Sequence, residues 1–215
     1  MKKIVIFDLD GTLLDTIADI ADNINLMLSH FGFAKRSIQE IKQFVGNGAR
    51  NIVKRSLPDG VSEEKLEECL AFYNNLYTNC GSPKTRIYDG MDKALLTLKN
   101  KGYKLAILTN KPQMTTDEVY NKYLSSFQFD CVIGQRAEFK IKPDPEAVFY
   151  ILNKFGIEKE DAYFVGDGEP DVQVALNAGV KSISALWGFR DKNQLKAVGA
   201  NVFAKQPLDI IKLIK

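Results

Sequence analysis

Apolar residues along this chain fall into two textures. Ile4–Phe7, Leu105–Leu108, Cys131–Ile133, Tyr163–Val165 and Ser182–Leu186 are short runs without strict alternation. Such runs predict strands buried on both faces. Helical periods lie between and beside them. Met91, Ala94, Leu95 and Leu98 share a face and Gly102 follows. Pro145 opens a segment carrying Val148, Ile151, Leu152 and Phe155, which Gly156 closes; Val172, Ala175 and Leu176 precede Gly179. Proline at the start and glycine past the end fit helix termini. Strand–helix alternation predicts an α/β fold with a parallel sheet covered by helices.

From about Thr16 to Ser82 the strand texture is missing. Thr16 can cap a helix with Asp19 in its first turn, and Ile17, Ile20, Ala21, Ile24, Met27, Leu28 and Phe31 make one apolar face. Ser37 and Glu40 have capping-box spacing. Segments near Ala49–Ser56 and Ser62–Asn79 complete an all-helical block. The economical division is a Rossmann-like catalytic core, residues 1–15 and 85–215, with a helical insert, residues 16–84, entered near Leu13–Thr16 and left near Pro83–Asp89.

Composition narrows the function classes. With 29 basic and 27 acidic residues the net charge is +2, which gives no reason to expect nucleic acid or an anionic membrane as partner. The three cysteines, Cys69, Cys80 and Cys131, lack metal-ligand spacing and read as free thiols of a reducing compartment. A single histidine, His30, leaves no Ser-His-Asp triad. The run Ile4–Phe7 is too short for a signal peptide, and no window reaches the roughly 20 apolar residues of a membrane span. A cytoplasmic protein, monomer or homodimer, is expected.

In open parallel sheets, ligands bind beyond the carboxyl ends of the strands. Those ends carry Asp8 and Asp10 in DLDGT, Thr109 and Asn110 in LTN, and Asp167 and Asp171 in GDGEPD; Lys142 begins KPDP. Taken singly, each segment has a plainer reading: a turn, a strand-end hydroxyl, a helix start, a surface lysine. Their convergence on one sheet edge is what those readings do not predict.

Charge decides what can bind there. The four aspartates carry four negative charges and Lys142 offsets one. Clustered carboxylates need a proton or a cation, and an all-oxygen donor set suits Mg²⁺. With Mg²⁺ and Lys142 the sum is one negative charge, and a proton on Asp10 brings it to zero. A phosphate dianion can then approach, met by Thr109, Lys142 and main-chain N–H groups of the DLDGT turn. A carboxylate held against phosphorus invites an aspartyl-phosphate, and the second aspartate can serve as acid and then base.

These residues, in this order, resemble the four motifs of the haloacid dehalogenase superfamily, phosphatase branch, and the insert resembles its helical cap. The resemblance implies Asp8 as nucleophile, Asp10 as acid/base, and Thr109, Asn110 and Lys142 as phosphate-binding residues. It further implies Mg²⁺ held by Asp8, the Asp10 main-chain carbonyl and Asp167, with Asp171 in support. Gly168 departs from the usual serine of the fourth motif, removing a hydroxyl that can brace Asp167. The segment VGNGARNIVKRSL is similar to a glycine-containing cap segment of phosphoglycolate phosphatases. There Asn47 and Gly48 would approach the substrate and Arg55 would pair with its carboxylate. The expected partner is a small-molecule phosphate ester, 2-phosphoglycolate among them. A β-phosphoglucomutase-like mutase, a pyrophosphatase and a nucleotidase share the core motifs.

Overall fold

The computed structural model describes residues 3–80 and 83–214. Its centre is a six-stranded sheet. In chain order the strands are β1 (Ile4–Phe7), the short pair β2 (Leu14–Asp15) and β3 (Arg86–Ile87), then β4 (Lys104–Pro112), β5 (Cys131–Gln135), β6 (Ala162–Gly166), β7 (Lys181–Ala185) and β8 (Phe203–Ala204). The main sheet runs β5-β4-β1-β6-β7-β8, and every neighbouring pair is parallel.

Helices α1 (Ile17–His30), α2 (Ile38–Phe44), α3 (Ala49–Ser56) and α4 (Glu63–Cys80) fall between β2 and β3. The others are α5 (Met91–Asn100), α6 (Gln113–Tyr123), α7 (Glu146–Phe155), α8 (Glu169–Ala178), α9 (Lys192–Ala197) and α10 (Ile210–Leu213). This is a Rossmann-like α/β arrangement.

The sheet is buried on both sides. Val5 and Phe7 join one cluster with Leu105, Ile107 and the α5 residues Met91, Leu95 and Leu98. Ile4 and Ile6 point the other way, to Val148 and Ile151 of α7 and Val174 and Ala175 of α8. Unbroken apolar runs are what two covered faces require. Burying each large side chain contributes roughly 1.5–3 kcal/mol.

The helical block has an apolar cluster of its own, including Ile20, Ile24, Met27 and Leu28 of α1, Ile41 of α2, Val53 of α3 and Leu66 and Tyr73 of α4. The chain enters and leaves it through β2 and β3, which pair antiparallel, Leu14 beside Ile87. Ser37 and Glu40 form a complete capping box at α2. Thr16 does not cap α1: its hydroxyl makes no capping bond and is buried without a partner. Asp19 is buried and accepts instead from the Lys84 main-chain N–H and, at 2.6 Å, from the Thr85 hydroxyl. It thereby ties the start of α1 to the return crossing. Cys69 and Cys131 are buried free thiols. The side chain of Cys80 and all of Ser82 lie outside the described residues. Among the described residues no helix is long and apolar enough to cross a membrane.

Candidate active site

Phe7 sits in register with Ile107 and with Val165. The chain therefore leaves β1 and β6 at one edge and delivers Asp8 and Asp167 there together. β4 continues past its apolar run through Thr109, Asn110 and Lys111. Lys142 arrives from the segment between β5 and α7, and Asp171 from the first turn of α8.

Three carboxylates and one ammonium form the centre. Lys142 Nζ donates to Asp8 Oδ1 at 2.8 Å and to Asp171 Oδ1 at 2.6 Å. Oxygens of Asp8, Asp167 and Asp171 all lie within 4.8 Å of one another, and all three residues are buried. Burial, then the negative charge of Asp171, pushes the Asp8 carboxyl up to about 7 against the pull of Lys142. Burial, then Asp8 and Asp171, pushes Asp167 up to about 8. Burial alone would lower the Lys142 ammonium, yet Asp171 and Asp8 together raise it well above the ordinary lysine range. One lysine is too little charge for three desolvated acids.

Asp167 is braced from two sides. The Thr12 hydroxyl donates to Oδ1 at 2.9 Å and the Phe189 N–H to Oδ2 at 2.7 Å. The side-chain hydroxyl on Asp167 comes from Thr12, while Gly168 contributes its main-chain N–H to Asp171 Oδ2 at 2.9 Å. The backbone crowds this carboxylate so closely that Gly11 (φ 88°) and Gly188 have no room for a side chain. A Cβ on Gly11 would lie 2.4 Å from Asp167 Oδ2, and one on Gly188 2.3 Å from the Asp167 Cβ.

Asp10 stands apart from this centre. Its carboxylate accepts from Lys111 Nζ at 3.2 and 3.1 Å, and both side chains are largely buried. Sequence reading passed over Lys111. It corrects the charge count: four aspartates, two lysines and one divalent cation balance with no proton on Asp10. The donor set, the deficit of positive charge and the raised Asp8 and Asp167 carboxyls all fit Mg²⁺.

Thr109 lines a cavity with Asp8, Asp10, Asn110, Lys111 and Thr115 on the sheet side. Its hydroxyl accepts from the Lys111 N–H at 3.3 Å. Asn110 serves as a tie. Its amide N–H donates to the Gly46 and Lys142 carbonyls, and its carbonyl accepts from the Lys142 N–H at 2.8 Å. Across the cavity stand Ile20, Val45, Gly46, Gly48, Ala49, Ile52, Tyr73 and Asn74 of the helical block.

Gly48 reaches this wall; Asn47 and Arg55 are not part of it. The Asn47 carbonyl accepts from the Asn51 amide at 2.8 Å. Arg55 is exposed and donates to the Phe44 carbonyl at 3.4 Å. The buried face of α3 is Ile52, Val53 and Ser56, which turns Arg55 outward. Tyr73 and Asn74 carry no motif that sequence reading could use; they are interior positions of α4 brought in by packing.

The two raised carboxyls have a consequence for stability. Asp8 and Asp167 hold protons more tightly folded than unfolded. Their contribution favours the folded chain fully below the ordinary carboxylate value of 3.8 and is lost as pH rises through about 7 to 8. Thermal unfolding in EDTA should give a Tm that falls between about pH 5 and pH 8. Excess Mg²⁺ should remove most of that fall, since a ligand of the folded state alone stabilises it. Identical profiles with and without Mg²⁺ would contradict this.

Residues 5–185 match the haloacid dehalogenase-like hydrolase family. The chain is 36% identical over 194 residues to phosphoglycolate phosphatase 1 of Pseudomonas aeruginosa, covering 88% of this chain and 71% of that protein. It is 31% identical over 193 residues to phosphoglycolate phosphatase of Aliivibrio fischeri, covering 87% and 85%. The crystal structure of a predicted phosphoglycolate phosphatase from Haemophilus somnus superposes with a TM-score of 0.92 at 25% identity, covering 100% of this chain and 98% of that one.

Proposed function

The chain belongs to the haloacid dehalogenase-like hydrolases as a phosphatase of that family, and from that premise we propose that it hydrolyses a small phosphomonoester, 2-phosphoglycolate foremost, through an aspartyl-phosphate on Asp8. The observation that carries the reading is the placement of Asp8. It ends a central strand, faces Lys142 at 2.8 Å, and opens onto a cavity shared with the helical block.

In this reading Asp8 Oδ attacks phosphorus and the bond to the ester oxygen breaks. Asp10, having taken up a proton from solvent as the negatively charged ester binds, gives that proton to the ester oxygen, so the alcohol leaves neutral. Water then attacks the aspartyl-phosphate, Asp10 takes the water proton, and Asp8 and inorganic phosphate are released. Lys142 and the Thr109 hydroxyl hold phosphoryl oxygens, and Lys111 fixes the Asp10 carboxylate. Mg²⁺, held by Asp8, the Asp10 main-chain carbonyl and Asp167 with Asp171 in support, would neutralise charge between the acids and the phosphoryl group.

Residues 16–84 act as a cap whose wall meets the leaving group. That wall offers Ile20, Val45, Ala49 and Ile52, with Tyr73 and Asn74 as its polar side chains. Arg55 is not on it, so the carboxylate of a phosphoglycolate would meet main-chain N–H groups near Gly48 or the Lys111 ammonium.

The test is a kinetic panel with Mg²⁺: 2-phosphoglycolate, short alkyl phosphates, nucleoside monophosphates, pyrophosphate and glucose 1-phosphate. The expected ranking puts 2-phosphoglycolate first in kcat/KM, with free phosphate as product. A silent panel sinks the catalytic reading; conversion of glucose 1-phosphate to glucose 6-phosphate moves it to the mutases.

A further inference from the structure

We propose that Arg190 is a positioning residue: it clasps the cap over the carboxylate cluster, and the loop Gly188–Arg190 couples that closure to Asp167. The role assigned to the cluster rests on the phosphatase reading; the clasp itself rests on geometry. Arg190 belongs to the loop between β7 and α9, on the sheet side of the molecule. It is 6% exposed. A guanidinium so desolvated needs a partner for each donor.

Its partners come from both sides of the boundary. Nε donates to both Glu169 oxygens, at 2.9 and 2.8 Å. Nη1 donates to the Lys42 carbonyl at 2.5 Å, and Nη2 to the Gln43 and Val45 carbonyls at 3.3 and 2.7 Å. Those three carbonyls end α2, where the helix dipole favours a cation. Only the planar fork of arginine can serve a carboxylate on one edge and three carbonyls on the other.

The next residue inward completes the coupling. The Phe189 side chain is buried within the apolar cluster of the helical block, while its N–H holds Asp167 Oδ2 at 2.7 Å. From the other flank the Asn110 amide holds the Gly46 carbonyl at 3.0 Å and accepts from the Lys142 N–H. Val45 and Gly46, gripped from both flanks, line the small cavity that also contains Asp8, Lys142, Asp167 and Asp171. The clasp is therefore the roof of the acid cluster.

The clasp spans a boundary that can open. Phe189 apart, the apolar cluster of the helical block is made by the block itself, which has a paired entry and exit. Carbonyls at a helix end can turn to water when the cap lifts. Arg190 would then keep Glu169, whose side chain is 31% exposed. A roof that opens admits substrate, and one that closes excludes water.

Trp187, the only tryptophan, anchors the same loop through Nε1 to the Thr12 carbonyl at 3.0 Å. Its fluorescence and small-angle scattering should both respond when orthovanadate is added to the Mg²⁺-loaded protein. Arg190→Lys keeps a charge for Glu169 but cannot span the carbonyls. We expect it to fold, to bind vanadate about 10- to 100-fold more weakly, and to lose kcat/KM by a similar factor. Arg190→Met should fall at least as far. Wild-type vanadate affinity and kinetics in Arg190→Lys would overturn the clasp. Loss of fold in both variants would overturn it too, because a clasp on a separately packed cap is dispensable for folding. A wild-type protein that binds vanadate and compacts but hydrolyses no ester would sink the phosphatase reading alone.

Discussion

Asparagine at position 8 is expected to abolish turnover, by at least about 10⁴-fold in kcat, while the fold remains. The amide oxygen can still accept from Lys142 Nζ, as Asp8 Oδ1 does now at 2.8 Å. It cannot form an acyl phosphate. Acid quenching during turnover should trap phosphate on the wild-type chain and none on the variant. The same change should raise stability when metal is absent. Burial and Asp171 hold the Asp8 carboxyl near 7, so at pH 8 the folded chain bears an ionised group that the unfolded chain solvates better. A neutral isostere removes that cost, and a gain of about 1 kcal/mol corresponds to about 2–4 °C in Tm for a domain of this size. Loss of activity with a higher Tm in EDTA identifies a group kept for chemistry at the expense of stability. Turnover near the wild-type level would sink the mechanism, and loss of both fold and activity would make Asp8 a structural residue.

What could be read from the sequence divides along a physical line. β1 and β6 were legible because they are buried on both faces by α5, α7 and α8, and uninterrupted apolar runs are the mark of that. Their ends then located Asp8 and Asp167. The apolar run Leu105–Leu108 marks only part of β4, which runs to Pro112. A polar Thr-Asn-Lys stretch gives no strand signal, and so Lys111 was lost with it. Its partnership with Asp10 joins residues 101 positions apart and has no local trace. Arg190 was missed for a similar reason: one arginine in a loop looks like surface until α2 is laid against it. Arg55 runs the other way. The resemblance of its segment to a cap segment suggests a ligand, while in this structure Arg55 is exposed and off the cavity wall, because the face on which a helical side chain emerges is decided by what that helix buries. Thr16 looked like a cap by residue type, but Asp19 and the returning chain fix the start of α1 instead.

Methionine at position 142 is the second large effect, and it separates charge balance from catalysis. Lys142 is 3% exposed, packs over the Phe164 ring at 5.5 Å, and bonds Asp8 and Asp171. Methionine fills similar space without charge. Breaking a buried ion pair by removing one member costs about 3–5 kcal/mol, a fall of roughly 10 °C in Tm here. Mg²⁺ should restore much of that fall, because a divalent cation can replace the missing counter-charge among Asp8, Asp167 and Asp171. It should not restore activity. The ammonium is the group that would meet the phosphoryl oxygens, and its loss should leave kcat/KM lower by about 10³-fold even at saturating metal. If Mg²⁺ rescues Tm and activity together, Lys142 acts only as a counter-ion and its assignment to phosphate fails. If Mg²⁺ rescues neither, the three carboxylates do not share a metal. Rescue of stability alone is the outcome that requires both a cation among the acids and a separate cation for the substrate.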